Sequence, residues 1–267
     1  MLLVFVLLAS AISLGICLAV GYTGLALLGF FLLFTLAAFV AILVFYILFL
    51  LILTVFIDKT KVQTDEHPFF RFVLVYSVGL ILFFCGVRIR TERLELVPDD
   101  TFLLVGNHRS GYDPLIAIWA LRKHRLNFVS KPSNFNIPVG GPMMAINGFL
   151  PIDRDDDRKA LRTILAVADR MKRGVASFGI YPEGTRSHTD EMLPFRSGCF
   201  KAAQRAGVPV VVVSTHNSAE IAKRGPLRPT KVLFRVCGVI DADTVASLKT
   251  TELSERARAM LEESLSH

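Results

Sequence analysis

The stretch Asn107-His108-Arg109-Ser110-Gly111-Tyr112-Asp113 follows an apolar run, Thr101 to Val105, and is followed at once by Pro114. This pattern predicts a buried strand, then a polar turn, then a helix that Asp113 caps and Pro114 opens. His108 would therefore lie on a strand-to-helix turn, where the carboxylate five residues later can reach its imidazole. A histidine that an acid holds in one tautomer is a suitable general base. The alternative, from these residues alone, is a loop histidine beside an ordinary helix cap.

Strand and helix patterns alternate along the chain from residue 98 to residue 267. This alternation predicts an α/β domain with helices layered on a largely parallel sheet. Sites in such sheets lie where strands lead into helices, so His108, Arg154 and Glu183 could converge there. The acidic residues 155–157 are interpreted as caps of the helix that begins near Arg158, not as a metal site. Strands are predicted near 101–106, 127–131, 148–153, 175–181, 209–214 and 231–239, and helices near 113–123, 136–146, 157–173, 196–206 and 251–265.

Residues 1–57 contain no Asp, Glu, Lys, Arg or His. They are too many for one spanning helix, since about 20 apolar residues cross a bilayer. The sequence Gly21-Tyr22-Thr23-Gly24 predicts a break between helices near 2–20 and 26–57, which form either two passes or a shallow hairpin in one leaflet. Lys59 and Lys61 come next, and basic residues favour the cytoplasmic side. We therefore predict a hairpin embedded in the cytoplasmic membrane, with the following domain on its cytoplasmic face.

Residues 58–97 are predicted to form a linker with an interfacial helix, between the hairpin and the domain at 98–267. Phe72 to Val87 has no charged residue across 16 positions, which is short for a membrane span. A helix that lies at the membrane interface or packs on the domain is therefore favoured over a third pass. Arg88, Arg90 and Arg93 follow directly and would lie close to lipid headgroups.

The net charge of +7 comes from 30 basic and 23 acidic residues. Beside a membrane anchor, basic clusters suit anionic lipid headgroups and the phosphates of coenzyme A or acyl carrier protein better than nucleic acid. Each cluster could also be an ordinary solvated face. The four cysteines have no paired spacing, so neither a disulfide framework nor a zinc site is predicted. The clusters are Arg122 to Arg125 and Lys223, Arg224, Arg228 and Lys231.

Three later stretches follow the His108 block in a fixed order. With it, they resemble the signature blocks of the 1-acyl-sn-glycerol-3-phosphate acyltransferases, a family of glycerolipid acyltransferases, over roughly residues 88 to 240. The first block matches the form Asn-His-x-Ser-x-x-Asp, and the third contains Pro-Glu-Gly-Thr-Arg, with Tyr181 where phenylalanine is more usual. The later stretches are Asn147 to Arg154, Tyr181 to Ser187 and Gly207 to Val213.

The resemblance implies a glycerol-3-phosphate acyltransferase-like α/β fold behind an N-terminal helical hairpin. It also implies that His108 takes the proton of a lysophospholipid hydroxyl as that hydroxyl attacks an acyl thioester. Asp113 would orient the imidazole and stabilise the imidazolium, as the acid does in a serine triad. Acyl-CoA or acyl carrier protein would be the co-substrate, with no metal and no cofactor. Ser110 as a covalent nucleophile is the rival mechanism.

The second and third blocks are interpreted as a site for the phosphate of the acceptor, and Val208 to Val213 as plain core strand. Arginine suits phosphate because its planar group donates two parallel hydrogen bonds, which makes Arg154 and Arg186 the main candidates. Lys131 is a weaker third, Gly184 would let the backbone approach the ligand, and Thr185 adds a hydroxyl. Two further residues have less certain tasks. Glu183 would hold an arginine or bind the glycerol portion, and Asn107 could donate to the developing oxyanion.

The predicted function is transfer of a fatty acyl group to the sn-2 hydroxyl of lysophosphatidic acid, giving phosphatidic acid. Another lysolipid, such as lyso-ornithine lipid or a lysophospholipid under repair, is the alternative acceptor. A membrane protein that only binds lipid or recruits a partner is the non-enzymatic alternative. The presence of both His108 and Asp113 favours an enzyme.

Overall fold

The structure of the protein is a computed structural model that describes residues 2–63, 67–187, 189, 191–226 and 228–266. The chain divides into two compact units, Met1–Asp58 and Lys59–His267.

The first unit is a helical hairpin of α1 (Leu2–Val20) and α2 (Gly24–Val55). The two helices run antiparallel, since Phe5 contacts Tyr46 near one end and Tyr22 stacks on Phe30 at the turn. The predicted break is confirmed: Gly21 has a φ of +77°, a left-handed conformation that glycine adopts without strain. By length and composition, both helices could cross a membrane.

The second unit is an α/β domain, as predicted. Its described strands form a seven-stranded sheet in the order β1-β7-β6-β2-β5-β3-β4. Strands β6 and β7 pair antiparallel, and the other neighbouring pairs are parallel. The strands are β1 (Val87–Glu92), β2 (Leu103–Gly106), β3 (Leu126–Ser130), β4 (Leu150–Pro151), β5 (Ser177–Ile180), β6 (Val210–His216) and β7 (Thr230–Ile240).

Helices cover both faces of this sheet. On one face, helices α6, α7, α9 and α10 pack on inward-facing residues such as Leu103 and Phe178. On the other face lie α3 and α4, where the ring of Trp119 sits against Gly79 so closely that a β-carbon there would overlap it. The helices are α3 (Pro68–Phe84), α4 (Asp113–Ala120), α5 (Gly140–Ile146), α6 (Asp157–Lys172), α7 (Lys201–Ala206), α8 (Glu220–Arg224), α9 (Ala242–Ser247) and α10 (Thr250–Leu265).

The segment at 58–97, predicted to be a linker, contributes to the domain. Helix α3 buries seven side chains, among them Val73, Val78 and Leu82, which supports packing on the domain over a third membrane pass. Strand β1 was not predicted, although Val87 to Arg90 alternates between apolar and charged residues as an edge strand does. It pairs along β7 from Val87 opposite Thr230 to Glu92 opposite Arg235.

Two predicted helices begin later than expected. The helix predicted at 136–146 begins only at Gly140, because Pro138 and the positive φ of Val139 (+62°) interrupt the segment after a 3-10 turn. The helix predicted at 196–206 begins with a 3-10 turn, Ser197–Phe200, before α7. The predicted cap of α6 is confirmed, since the Asp156 carboxylate accepts from the first amides of that helix.

Parallel pairing fixes where the site can form. Strands β2, β5, β3 and β4 are adjacent and parallel, so their carboxyl ends meet at one edge of the sheet. The segments that follow them contain His108, Glu183, Lys131 and Arg154 respectively. The antiparallel pairing of β6 and β7 brings the beginning of β7 to the same edge.

Candidate active site

The loop of His108 is anchored to the sheet on both sides of strand β2. Gly106 ends that strand, and a β-carbon there would lie only 2.7 Å from the carbonyl oxygen of Val213, so glycine permits the close approach of β2 and β6. The next residue, Asn107, is buried, and its amide binds the backbone of Thr215 twice. Asn107 Nδ2 donates to the Thr215 oxygen at 2.9 Å, and Asn107 Oδ1 accepts from the Thr215 nitrogen at 2.8 Å. Asn107 therefore holds the beginning of the loop.

His108 and Asp113 form the predicted pair. The Nδ1 atom of His108 lies 3.0 Å from Oδ2 of Asp113, which is fully buried at the first turn of α4. The same oxygen accepts from the backbone amides of Arg109 and Ser110, both at 2.8 Å. Three donors therefore meet on one carboxylate oxygen, at the amino end of a helix. The Asp113 carboxylate accepts a hydrogen bond from Nδ1 when that nitrogen carries the proton, which leaves Nε2 of His108 as the basic nitrogen.

Glu183 braces this loop from the neighbouring strand end. Its carboxylate is 5% exposed, with Oε1 accepting from the His108 amide at 2.7 Å and Oε2 from the Leu193 amide at 3.0 Å. The predicted tasks for Glu183 were to hold an arginine or to bind glycerol. The structure instead places it on the backbone of the base itself. Burial raises the pKa of Glu183, while the two amide hydrogen bonds lower it.

An aromatic column supports the imidazole ring. Tyr181 stacks on His108 with ring centroids 4.3 Å apart and an angle of 11° between the planes. Phe128 stacks on Tyr181 in turn, at 5.6 Å and 12°. Burial raises the pKa of Tyr181 well above its usual value, and the nearby charge of Asp113 raises it further, so the ring stays neutral. The imidazole plane is therefore set on its face by Tyr181 and at its edge by Asp113.

Two arginines meet beside Gly184. Arg154 donates from Nη1 to the Gly184 carbonyl, and Arg196 donates to the Arg154 carbonyl at 3.2 Å. Gly184 has a φ of +72°, and the side chain of Arg196 lies where a β-carbon would project from it. Burial lowers the pKa of Arg154, and the positive charge of Arg196 lowers it further. A bound anion would offset both effects, so the pair is suited to a phosphate.

The remaining predicted residues lie near this pair but are less constrained. The guanidinium of Arg186 is exposed and reaches the His108 loop, where its Nη1 lies 3.9 Å from the position of a β-carbon on Gly111. Thr185 and Lys131 are exposed as well, and their side chains form no hydrogen bond within the described part of the chain. Lys131 follows β3 directly and so shares the edge with Arg154, which follows β4.

Ser110, the rival nucleophile, is not placed for that task. It is buried, and its hydroxyl oxygen accepts a long hydrogen bond, 3.3 Å, from the Tyr112 amide. Its backbone amide is committed to Asp113. Ser110 therefore stabilises the turn.

A cavity of about 260 Å³ borders the other side of the loop. Its lining includes Asn107, Arg109, Glu183 and His216, which makes it polar and unsuited to an acyl chain. The valines of β6, at 210–213, are core residues with almost no exposure, which agrees with the interpretation of that stretch as plain core strand.

Sequence reasoning missed Arg196 and the task of Glu183. Arg196 is the first residue of the helix predicted at 196–206, and no local pattern links it to Arg154, 42 positions earlier. The backbone contact of Glu183 depends on two loops that meet only in the folded sheet.

Comparisons with known proteins show the family of the chain. The family model described as Acyltransferase matches residues 88–216. The 1-acyl-sn-glycerol-3-phosphate acyltransferase of Haemophilus influenzae is 31% identical over 166 residues, which cover 58% of this chain and 69% of the relative. The chain belongs to the 1-acyl-sn-glycerol-3-phosphate acyltransferase family.

Two further relatives bear on the extent of the likeness. The Salmonella typhimurium enzyme of the same name is 31% identical over 163 residues, 61% of this chain and 66% of the relative, so this match spans just under two thirds of that protein. The crystal structure of the 1-acyl-sn-glycerophosphate (LPA) acyltransferase from Thermotoga maritima has a TM-score of 0.64 at 22% identity, covering 83% of this chain and 88% of that one. It supports the predicted acyltransferase fold.

The first prediction concerns Glu183. In Glu183→Gln, the side chain keeps one acceptor oxygen, so one backbone amide, of His108 or Leu193, faces an NH₂ donor. We expect a loss of about 1–3 kcal/mol in the free energy of unfolding and at least a tenfold loss of activity. Thermal unfolding and an acyl-transfer assay on the purified protein measure both. Glu191→Gln, the same change at an exposed site, is the control. Equal losses of stability and activity in the two variants would show that Glu183 does not support the His108 loop.

The second prediction concerns the stacked ring. Tyr181→Phe keeps the aromatic face on His108, whereas Tyr181→Leu removes it. An aromatic face stabilises a cation by about 0.5–2 kcal/mol, so kcat of the leucine variant should fall roughly 2- to 30-fold as the imidazolium loses this support. KM for both substrates should stay within about twofold, and the phenylalanine variant should retain kcat. A leucine variant with normal kcat, or a phenylalanine variant as slow as leucine, would contradict the stacking role.

Proposed function

We propose that the protein transfers a fatty acyl group from an acyl thioester, of coenzyme A or acyl carrier protein, to the sn-2 hydroxyl of lysophosphatidic acid. The product is phosphatidic acid. The observation that carries the proposal is the His108–Asp113 pair at a sheet edge that also holds Arg154, Arg186 and Arg196. A base for a hydroxyl and cations for a phosphate therefore lie together.

His108 alone can carry the proton from the acceptor hydroxyl to the departing thiolate. Nε2 of His108 takes the proton from the acceptor hydroxyl as its oxygen attacks the carbonyl carbon of the thioester. The new C–O bond forms, the tetrahedral intermediate collapses, and the C–S bond breaks. The imidazolium then returns the proton to the departing sulfur, while Asp113 stabilises the charged ring through Nδ1. No acyl-enzyme forms, in keeping with the buried, turn-bound Ser110.

The acceptor phosphate would bind at the arginines. Arg196 donates to the Arg154 carbonyl, and Arg154 donates to the Gly184 carbonyl, so their positive charges are kept close before a ligand arrives. Arg186 reaches the His108 loop at Gly111 and would bridge from the phosphate toward His108, with Lys131 adding charge at the same edge. Fixing the phosphate in this way places the glycerol hydroxyl for attack, and positioning can supply much of the rate.

Asn107 is better placed to hold the loop than to donate to the oxyanion. Its amide is committed to Thr215 on both sides, so we assign it a positioning role for the loop. Thr185 and Gly184 remain candidates for contacts with the acceptor, since both lie in the turn that Arg154 holds.

The membrane hairpin would bring the enzyme to its lipid substrates. The apolar hairpin α1–α2 would embed the protein where both long-chain lipids reside. Lys59 and Lys61 follow the second helix, and basic residues stay on the cytoplasmic side, so the catalytic domain is proposed to face the cytoplasm.

The third prediction tests the acceptor. Full-length enzyme, one acyl-CoA and equal amounts of lysophosphatidic acid, lysophosphatidylcholine and lyso-ornithine lipid are combined in a competition assay. The choline diester has one charge fewer and a bulky group where the arginines would close in, so lysophosphatidic acid should be strongly preferred. In Arg186→Ala, kcat/KM for lysophosphatidic acid should fall about 10- to 200-fold, which corresponds to the loss of one hydrogen bond between charged groups. The ratio of kcat/KM for lysophosphatidic acid to that for lysophosphatidylcholine should therefore decrease.

The control is Arg162→Ala, an exposed arginine on α6, which should leave the preference unchanged. Equal use of choline and phosphate acceptors would contradict the phosphate site. A preference for the ornithine lipid would move the assignment to that alternative acceptor and leave acyl transfer in place. No transfer to any acceptor would favour the non-enzymatic alternative.

A further inference from the structure

The carboxyl end of helix α3 presents an apolar surface to solvent. Ile81, Phe83 and Phe84 are 45%, 56% and 44% exposed, and the two aromatic rings lie 5.4 Å apart edge to face. The middle of the same helix is buried in the domain. Large apolar groups clustered on a surface mark a contact with another apolar phase.

Two cations lie directly beyond this end of the helix. Arg88 of β1 is paired in register with Lys231 of β7, and both side chains are exposed. Neither has an ion-pair partner among the residues that the structure describes, whereas Arg90 and Arg235 both reach Glu92, at 3.2 Å and 2.8 Å. Like charges directly opposite each other on a sheet repel, so this pair favours an anion from outside the domain.

A third cation belongs to the same surface. The Thr230 amide donates to the Gly86 carbonyl at 3.0 Å, and Gly86 lies against Pro226 and Pro229, so the segment before β7 packs against the end of α3. Arg228 is exposed on that segment. Arg93, at the other end of β1, donates to the Cys237 carbonyl.

Strand register places this surface at the edge that holds the active site. His216, at the end of β6, is paired with Leu233 of β7, so Lys231 lies just past the end of β6. Asn217 reaches it, donating to the Lys231 carbonyl at 3.2 Å. Strand β6 is parallel to β2, whose end leads to His108. The cations therefore lie at the same edge of the sheet as the candidate active site.

We propose that an interfacial patch docks on the surface of a bilayer that contains anionic lipids. The patch consists of Ile81, Phe83, Phe84, Arg88, Arg228 and Lys231. The apolar side chains would enter the boundary between headgroups and acyl chains, and the cations would bind headgroup phosphates. Docking turns the active-site edge toward the lipid, separately from the anchoring hairpin. A second copy of the chain is a poor occupant, because a symmetric contact would bring like cations together.

The fourth prediction uses tryptophan fluorescence. The sole tryptophan, Trp119, is first replaced, so that a newly introduced tryptophan gives the only signal. Full-length Trp119→Phe protein carrying Phe84→Trp is reconstituted in vesicles of phosphatidylcholine and phosphatidylglycerol whose acyl chains are brominated near the headgroup. The new indole of the patch should be strongly quenched. Trp119→Phe with Leu161→Trp, an exposed apolar site on α6 across the sheet, is the control and should not be quenched. Equal quenching of the two proteins, or of neither, would overturn the proposal.

A charge test separates headgroup binding from apolar contact alone. In the Phe84→Trp protein, Arg88→Gln with Lys231→Gln should lower the ratio of docked to undocked molecules about 25-fold, some fivefold per cation. Arg162→Gln with Lys172→Gln removes the same charge from α6 and should change nothing. Unchanged quenching without the two patch cations, or equal quenching in pure phosphatidylcholine, would refute the anionic-lipid assignment. Quenching lost through concentration-dependent self-association would assign the patch to a second copy.

None of these measurements uses catalytic activity. A failure of the patch leaves the acceptor assignment standing, and a failure of the acceptor assignment leaves the patch standing. Emission of each variant in detergent and its circular dichroism confirm that the protein remains folded.

Discussion

One oxygen of Asp113 organises the site. It accepts from the Nδ1 atom of His108 and from the amides of Arg109 and Ser110, so a single buried carboxylate closes the turn and orients the ring. Burying a carboxylate is costly unless hydrogen bonds compensate it, and one of the three bonds that this oxygen accepts, the one from Nδ1, also sets the tautomer of His108. The same carboxylate is therefore needed both for the fold of the loop and for the chemistry proposed for it.

The rest of the domain holds that turn in place from several directions. Asn107 fixes its beginning to β6, Glu183 fixes the His108 amide to the end of β5, and Tyr181 covers the face of the imidazole. Each support comes from a strand that neighbours β2 or from the segment after it. The parallel register brings these supports to one edge, and it also brings Arg154, so the base and the cations are assembled by sheet topology.

The sequence predicted the parts of the fold that depend on local pattern. Buried strands such as β2 and β5 are short apolar runs, and the cap at Asp113 has a clear local signal. Strand β1 was missed, since Arg88 and Arg90 look like a basic linker unless the alternation with Val87 and Ile89 is weighed. The His108–Asp113 contact was predicted because five residues in a turn limit the geometry. The task of Glu183 and the presence of Arg196 were not, because they depend on contacts between distant loops.

In the proposed direct acyl transfer, His108 and Asp113 act as one unit. The measurement is the single-turnover rate of acyl transfer in His108→Ala, in Asp113→Asn and in the double variant, each checked for normal folding. Loss of the orienting acid should slow transfer by roughly 10³–10⁴-fold, and removal of the base should bring it close to background. Because residues that act together are not additive, the double variant should be no slower than His108→Ala alone. Rate losses that multiply in the double variant, or a serine-linked acyl group trapped at Ser110, would contradict the account.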